Sequence, residues 1–345
     1  MKKNITLKSY AKINLSLDVG ERRADGMHPV DTVMQAVDLF DVVKVEVGSD
    51  EATCDDGVDS AVSGGVDSPP SGSVTPPIEL SVAGADLTRG PGNLAYKAAQ
   101  LMINRYGNLI PDEHKAISIS LEKNIPIAAG LAGGSGNASA VMLALNYLWG
   151  LGLSMEELLE VSALLGSDVP FCLMTQAVLN GEVLQGSTAS SWIGHTQVST
   201  CARAKGTGTQ LEPLPLLEGA IILCKPDISL STKEVYEGFD KCVVEKRPDN
   251  DAMASALKNG DRAGVIKEMI NLLELHSLKV EDVNNLKEAM EQTLGAEKVL
   301  MSGSGPTVYA LFPNMHAAEA AATAAKAASH GNLGGAHTCF VAKLL

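Results

Sequence analysis

The chain has 345 residues, 45% of them apolar, which is enough for a sizeable core in one large or two ordinary domains. A formal net charge of -14 and a pI near 4.9 exclude functions that need a basic surface, such as binding to nucleic acid or an anionic membrane. The six cysteines and seven histidines show neither a CxxC pair nor zinc-ligand spacing, so we expect reduced thiols, no structural metal and a cytoplasmic location.

The first part of the chain predicts strands, one helix and an insertion. Apolar and polar residues alternate over 5–19 and 34–47, which is typical of strands. Residues 48–77 are rich in Gly, Ser, Pro and Asp without any period, so they cannot bury enough apolar surface and predict a mobile insertion. A strand at 78–82 and an amphipathic helix at 93–107 follow.

A glycine-rich stretch, IPIAAGLAGGSGN, occupies residues 125–137. It follows a strand pattern at 116–127 and precedes an apolar helical pattern, with Asn137 placed to cap the start of that helix. A helix N-terminus offers unpaired N–H groups and a positive dipole end, which together favour anion binding. Neither GxxxxGKS/T nor GxGxxG is present, so a tight turn without a ligand is the alternative to an anion site.

The next segment contains a capped helix, an isolated aspartate and a second irregular stretch. Ser154 and Glu157 form a capping box for a short helix that is predicted to end near Gly166. Asp168 then lies in a predicted turn, where its simplest use is as a local cap. Residues 176–200 are polar and poorly periodic, and they predict a second insertion.

The last part of the chain mixes strands and helices without a strict βαβ repeat. Strands are predicted at 220–226, within 298–312 and at 337–345, and helices at 232–242, 251–261, 263–277, 280–295 and 317–328. This order favours an α+β protein over a doubly wound parallel sheet.

Three stretches resemble the three signatures of the GHMP family of small-molecule kinases. The first is AKINLSLDVGERRADGMH at 11–28. The second is PIAAGLAGGSGNASA at 126–140 together with LGSDVPF at 165–171, and the third is LMSGSGPTVYALF at 300–312. The resemblance covers nearly the whole chain apart from the two predicted insertions.

The resemblance implies a two-domain α+β fold. The N-terminal domain, 1–175 with its mobile insertion, would be like the second domain of ribosomal protein S5. Residues 176–200 would form the second insertion, and 201–345 a ferredoxin-like C-terminal domain. The substrate would bind between the two domains.

The resemblance also implies the reaction and its cofactors. ATP and Mg²⁺ would bind at the glycine stretch, with no metal held permanently by the protein and with Ser135 as a candidate contact to Mg²⁺. The first stretch is most similar to a branch of the family that phosphorylates the 2-hydroxyl of a methylerythritol linked to cytidine diphosphate, in isoprenoid precursor synthesis. The partner would thus be a small molecule, and the protein a monomer or weak homodimer.

The matched motifs imply two catalytic residues and two binding sets. Asp168 would accept the proton of the acceptor hydroxyl, and Lys12 would stabilise the charge that develops on its oxygen. The implied ATP-binding residues are Lys123, Pro126, Ala129, Gly130, Leu131, Ala132, Gly133, Gly134, Ser135, Gly136 and Asn137. The implied substrate-binding residues are Asn14, Met27, His28, Thr232, Tyr236, Gly303, Ser304 and Gly305.

The first motif departs from the family at one position. His28 would read the edge of the cytosine, since imidazole offers one donor and one acceptor, and Tyr236 would stack on the base. Met27 stands where the family usually has tyrosine, and the methionine side chain has no flat face that could stack on the base. The alternatives are another GHMP kinase acting on a sugar, mevalonate-type or amino-acid alcohol, and a nucleotide-binding relative without catalysis.

Overall fold

The computed structural model of the protein describes residues 2–48, 78–184, 198–328 and 336–345. Apart from Gly48, the insertion predicted at 48–77 lies outside these residues, and so does part of the second predicted insertion. Within the described ranges, no helix is both long enough and apolar enough to cross a membrane.

The first sheet has six strands and carries the N-terminal half of the molecule. Its strands are β1 (Lys3–Val19), β2 (Val30–Val47), β3 (Ile78–Ala83), β4 (Ile117–Glu122), β5 (Cys201–Gly206) and β6 (Gln210–Leu214). The order is β3-β4-β2-β5-β6, with β1 also paired to β2, and only the β3–β4 pair is parallel. The long alternating strands expected from the sequence are confirmed as β1 and β2.

In the ranges that the structure describes, four α-helices accompany the first sheet. They are α1 (Leu94–Tyr106), α2 (Gly133–Trp149), α3 (Met155–Ser162) and α4 (Val169–Leu179). Ile119 of β4 and Met142 of α2 are both fully buried in one core cluster, so burial of apolar side chains holds α2 beside the sheet. The capping box of Ser154 and Glu157 at the start of α3 is confirmed.

The second sheet has four antiparallel strands in the order β10-β7-β9-β8. Its strands are β7 (Ala220–Pro226), β8 (Lys298–Met301), β9 (Val308–Phe312) and β10 (Ala336–Lys343). Its helices are α5 (Thr232–Phe239), α6 (Asn250–Asn259), α7 (Arg262–Glu268), α8 (Glu274–Ser277), α9 (Glu281–Thr293) and α10 (Met315–Ala328). The α+β architecture with two sheets is thus confirmed.

The two sheets divide at a different place from the one expected. β5 pairs with β2 and β6 pairs with β5, so both strands belong to the first sheet, and the second sheet begins at β7 and not near residue 201. The start of the second predicted insertion is also wrong, because residues 176–179 complete helix α4. Gln176 in that helix is fully buried and accepts a hydrogen bond from the backbone N–H of Tyr10 at 3.0 Å.

One predicted helix is interrupted by contacts between the halves. Residues 263–277 form α7 and α8 with an extended break between them. In that break, the backbone N–H of Leu17 donates to the carbonyl of Ile270 at 2.8 Å, and the N–H of Leu272 donates to the carbonyl of Leu17 at 2.9 Å. The pairing with β1 replaces helical hydrogen bonds, and it fixes β1 against the second half of the molecule.

The expectation that all cysteines are reduced is wrong for one pair. Cys224 of β7 and Cys339 of β10 lie directly opposite each other in the antiparallel register and are joined as a disulfide. They are 115 residues apart in the chain, so no local spacing could reveal the pairing. Cys172, Cys201 and Cys242 are free.

Candidate active site

The glycine stretch forms the loop between β4 and α2, as expected, but the helix begins earlier than predicted. Gly133 is the first residue of α2, and Ala132 precedes it in a left-handed conformation with φ of 57°. Asn137 therefore lies inside the helix and does not cap it. Gly133 and Gly134 lie in the first helical turn, whose N–H groups have no acceptor within the helix, and this is the part of a helix best suited to bind phosphate.

Gly130 joins this loop to the third motif. Its φ of 72° is left-handed, and a Cβ atom there would overlap the carbonyl oxygen of Ser302. The Ser302 hydroxyl in turn donates to the carbonyl of Gly130 at 3.0 Å. The third motif, residues 302–305, is thereby held directly against the glycine loop.

We expect Gly130→Ala to destabilise the fold and weaken nucleotide binding. The left-handed backbone costs a residue with a Cβ about 1–3 kcal/mol, and the overlap with Ser302 adds to that cost. Gly150→Ala is the matched control, because Gly150 has a similar φ of 64° but nothing within 4 Å of its added Cβ. Urea unfolding of the two variants should show the larger loss for Gly130, and equal losses would contradict the contact.

Lys123 belongs to a buried polar cluster that the sequence did not reveal. Its ammonium pairs with the Asp41 carboxylate and donates to Asn137 Oδ1 at 2.9 Å. Asp41 is fully buried and also accepts from the Asn137 amide at 2.9 Å and from the backbone N–H groups of Asn124 and Ile125 at 2.7 and 2.8 Å. The cluster ties the end of β4 to the first turns of α2, and so fixes the glycine loop at both ends.

The two implied catalytic residues face each other. Lys12 Nζ lies 3.6 Å from Asp168 Oδ2, with the Lys12 side chain 4% exposed and that of Asp168 39% exposed. Asp168 precedes the first residue of α4, but its side chain makes no capping hydrogen bond. The use of Asp168 as a local cap is therefore excluded, and its carboxylate is available to a bound molecule.

A chain of polar groups orients Lys12. Its ammonium donates to Asn14 Oδ1 at 2.7 Å, and the Asn14 amide donates to the Thr32 hydroxyl at 2.8 Å. Thr32 donates onward to the carbonyl of Ser16 at 2.5 Å. Since all these groups are buried, the position of the Lys12 ammonium is set by β1 and β2 and not by solvent.

His28 and Tyr236 of helix α5 form a second group of residues in the site. Their ring centroids are 5.3 Å apart, and His28 Nε2 lies 2.7 Å from Asp240 Oδ1. Burial and the nearby Asp168 carboxylate raise the pKa of Tyr236 to about 12, so its hydroxyl stays neutral at physiological pH. Met27, the residue before His28 in the chain, is 49% exposed and lines the same cavity as the two rings.

The third motif completes the arrangement. The hydroxyls of Thr232 and Ser304 lie 3.0 Å apart, which links the start of α5 to the turn between β8 and β9. Asn271 donates to the carbonyls of Met301 and Gly303, both at 2.8 Å. The break between α7 and α8 therefore supports this turn from behind.

All the implied site residues except Gly136 line one cavity of about 970 Å³. A Cβ on Gly136 would lie 2.6 Å from the Ser9 hydroxyl, so this glycine lets α2 approach β1 and does not face the cavity. The cavity is also lined by residues that are not among the implied site residues. These include Arg22, Thr32, Thr88, Asn93, Ser167, Thr207 and Lys233.

No group of three or more His, Cys, Asp or Glu side chains in the described part of the chain could hold a metal ion. Ser135, in the first turn of α2, lines the cavity.

Comparison with known proteins shows the family of the chain. The models for the GHMP kinases N terminal domain and the GHMP kinases C terminal match residues 93–176 and 253–330. A 4-diphosphocytidyl-2-C-methyl-D-erythritol kinase of Clostridioides difficile (strain 630) is 37% identical over 317 residues, which cover 90% of this chain and 87% of that protein. The kinase of the same name from Caldicellulosiruptor saccharolyticus is 34% identical, with 92% and 91% covered.

A solved structure supports the same assignment. The crystal structure of 4-(cytidine 5'-diphospho)-2C-methyl-D-erythritol kinase has a TM-score of 0.67 to this chain, with 26% identity and 99% of each chain covered. The protein is a member of the GHMP class of small-molecule kinases and uses ATP, as the three sequence stretches indicated. Within that class, the chain belongs to the family of 4-diphosphocytidyl-2-C-methyl-D-erythritol kinases.

Proposed function

We propose that the protein transfers the γ-phosphoryl group of ATP to the 2-hydroxyl of 4-diphosphocytidyl-2-C-methyl-D-erythritol, a step toward isoprenoid precursors. One observation carries the proposal. The Lys12–Asp168 pair lies in the same cavity as a glycine loop at a helix N-terminus and an aromatic pair at His28 and Tyr236. In this proposal the glycine loop binds phosphate, the aromatic pair binds a flat base, and Asp168 acts on the acceptor hydroxyl.

The glycine loop is the proposed site of the ATP phosphates. The N–H groups at the start of α2 would donate to the phosphate oxygens, with the helix dipole adding to the attraction. Lys123 is paired with Asp41 and donates to Asn137 in the first turns of α2. Its proposed contribution to ATP binding is therefore twofold: it supplies a local positive charge, and it supports the glycine loop. Mg²⁺ is the proposed companion of the nucleotide, with Ser135 as a candidate ligand from the protein.

Asp168 is the proposed base. As the acceptor hydroxyl attacks the γ-phosphorus, its proton would pass to the Asp168 carboxylate and ADP would leave. Lys12 would stabilise the negative charge that grows on the attacking oxygen, since its ammonium is already fixed by Asn14 and needs no reorganisation. The substrate would be aligned by Asn14, Thr232, Ser304 and the base-binding end of the cavity.

The net charge of -14 bears on how the protein attracts its anionic ligands. An acidic protein gains no attraction for an anionic substrate from its overall field, so cavity cations must bind the phosphates. Arg22 and Lys233 line the cavity and supply such charge.

We place the reaction in the cytoplasm, with the protein as a monomer or weak homodimer.

An acceptor comparison tests the proposed substrate. ADP release from ATP is measured with 4-diphosphocytidyl-2-C-methyl-D-erythritol, mevalonate and homoserine under the same conditions. Release only with the cytidine compound, inhibited by CMP in competition with it, is the expected result. Equal or faster release with mevalonate or homoserine would assign the protein to another reaction of the class.

Met27 gives a prediction about base affinity. Met27→Tyr places a flat ring beside His28 and is expected to lower the KM for the cytidine substrate by about twofold to tenfold, the equivalent of an aromatic contact worth 0.5–1.5 kcal/mol. Met27→Leu is the matched control, since it keeps the apolar volume without a ring. If Tyr and Leu change the KM equally, residue 27 does not contact the base.

A further inference from the structure

The contact between His28 and Asp240 defines which nitrogen of the imidazole carries a proton. Nε2 lies 2.7 Å from Asp240 Oδ1, and the His28 side chain is only 5% exposed. An ionised carboxylate can only accept hydrogen bonds, so Nε2 is the donor in this contact. In an imidazole that carries a single proton at Nε2, Nδ1 is an acceptor, and it has no hydrogen-bond partner among the residues that the structure describes.

The position of Asp240 is not explained by the stability of its helix. Asp240 caps the C-terminus of α5, where the negative end of the helix dipole disfavours a carboxylate. His28 is its sole ion-pair partner in the described ranges. Tyr236 lies one turn earlier on the same helix and packs against the same imidazole. Tyr236 and Asp240 of this segment therefore fix both the orientation of the His28 ring and the nitrogen that carries its proton.

We infer that Asp240 is a positioning residue for base selection, which holds His28 Nδ1 as an acceptor so that the site takes cytosine and rejects uracil. The inference rests on the proposed function, because it assigns the His28 end of the cavity to the nucleobase. At C4, cytosine offers an N–H₂ donor where uracil offers a carbonyl acceptor. If uracil were bound, its C4 carbonyl would face His28 Nδ1, and two acceptors cannot form a hydrogen bond with each other. The free-energy cost of leaving both groups buried and unpaired gives the discrimination.

The protonated nitrogen can be read without any substrate. In a ¹⁵N NMR spectrum of the imidazole nitrogens, His28 is assigned by comparison with a His28→Gln variant. We expect a protonated Nε2 and an unprotonated Nδ1 at neutral pH. In Asp240→Asn, both tautomers should become populated, because an amide can donate to Nε2 as well as accept from it. A proton on Nδ1 in the wild-type protein would overturn the inference.

Base selection is tested by calorimetric titration with CMP and UMP. The wild-type protein is expected to prefer CMP, and Asp240→Asn should reduce the ratio of the two Kd values by about tenfold, a typical effect of one base-edge contact. Asp282→Asn, an exposed Asp-to-Asn change on α9 outside the cavity, should keep the wild-type ratio.

The possible failures are distinguishable. An unchanged ratio in Asp240→Asn, or no CMP binding to the wild-type protein, would overturn the role of Asp240. Preferential CMP binding that depends on Asp240, with no phosphoryl transfer to the cytidine substrate, would support the base site and overturn the proposed reaction alone.

Discussion

Asp168→Asn is expected to lower kcat by about 10²–10⁴-fold, the usual contribution of a positioned acid–base group. An amide keeps the size of the side chain but cannot accept the proton of the acceptor hydroxyl. The fold should be retained, because the Asp168 side chain is 39% exposed and makes no capping hydrogen bond, and because Lys12 keeps its hydrogen bond to Asn14 when the carboxylate is lost. The measurement is steady-state ADP release, with the Kd for ATP determined separately by calorimetry.

Two controls separate chemistry from structure in that experiment. The Kd for ATP should stay within about threefold of wild type, because the glycine loop is held by Asp41 and Ser302 and not by Asp168. Asp282→Asn should retain the wild-type kcat. If Asp168→Asn keeps most of its activity, Asp168 is not the base, and the Lys12–Asp168 pair has another purpose.

Asp41→Ala is expected to reduce the free energy of unfolding by about 3–5 kcal/mol, the usual cost of removing one partner of a buried ion pair. The substitution would leave the Lys123 ammonium buried without its counter-charge. It would also remove the acceptor of the backbone N–H groups of Asn124 and Ile125. Urea unfolding followed by circular dichroism measures the loss.

A neighbouring aspartate is the matched control for this prediction. Asp38 lies on the same strand, β2, but its side chain is exposed. Asp38→Ala should change stability by less than about 0.5 kcal/mol, as surface substitutions usually do. Similar losses from the two substitutions would show that the cluster around Lys123 does not hold the loop.

The parts of the fold that follow from local pattern were predictable from the sequence. The long strands β1 and β2, the helices α1 and α9, and the capping box at Ser154 and Glu157 all depend on near neighbours. Helix α4 was missed because it is apolar on every side and begins with a proline at its second position, so it shows no amphipathic period. The break at Ile270–Leu272 was missed because its hydrogen bonds go to Leu17, far away in the chain.

The candidate site divides in the same way. The loop and its glycines could be found from sequence, and the resemblance to a family supplied Lys12 and Asp168. Asp41 and Asp240 could not be found, because their partners are 82 and 212 residues distant in the chain and no motif includes them. Asn137 was misassigned as a cap, since local pattern cannot show that its side chain is bonded to Lys123 and Asp41.

The most direct test of the proposed reaction is the proton-coupled ³¹P NMR spectrum of the product formed from ATP and 4-diphosphocytidyl-2-C-methyl-D-erythritol. The 2-carbon of the substrate is tertiary and bears no hydrogen. A phosphate transferred to its hydroxyl therefore gives a monoester resonance without splitting from a proton on the ester carbon, and this is the expected result. A doublet or triplet would place the phosphate on a secondary or primary hydroxyl, and no new monoester resonance would mean no transfer; either outcome would contradict the proposed reaction.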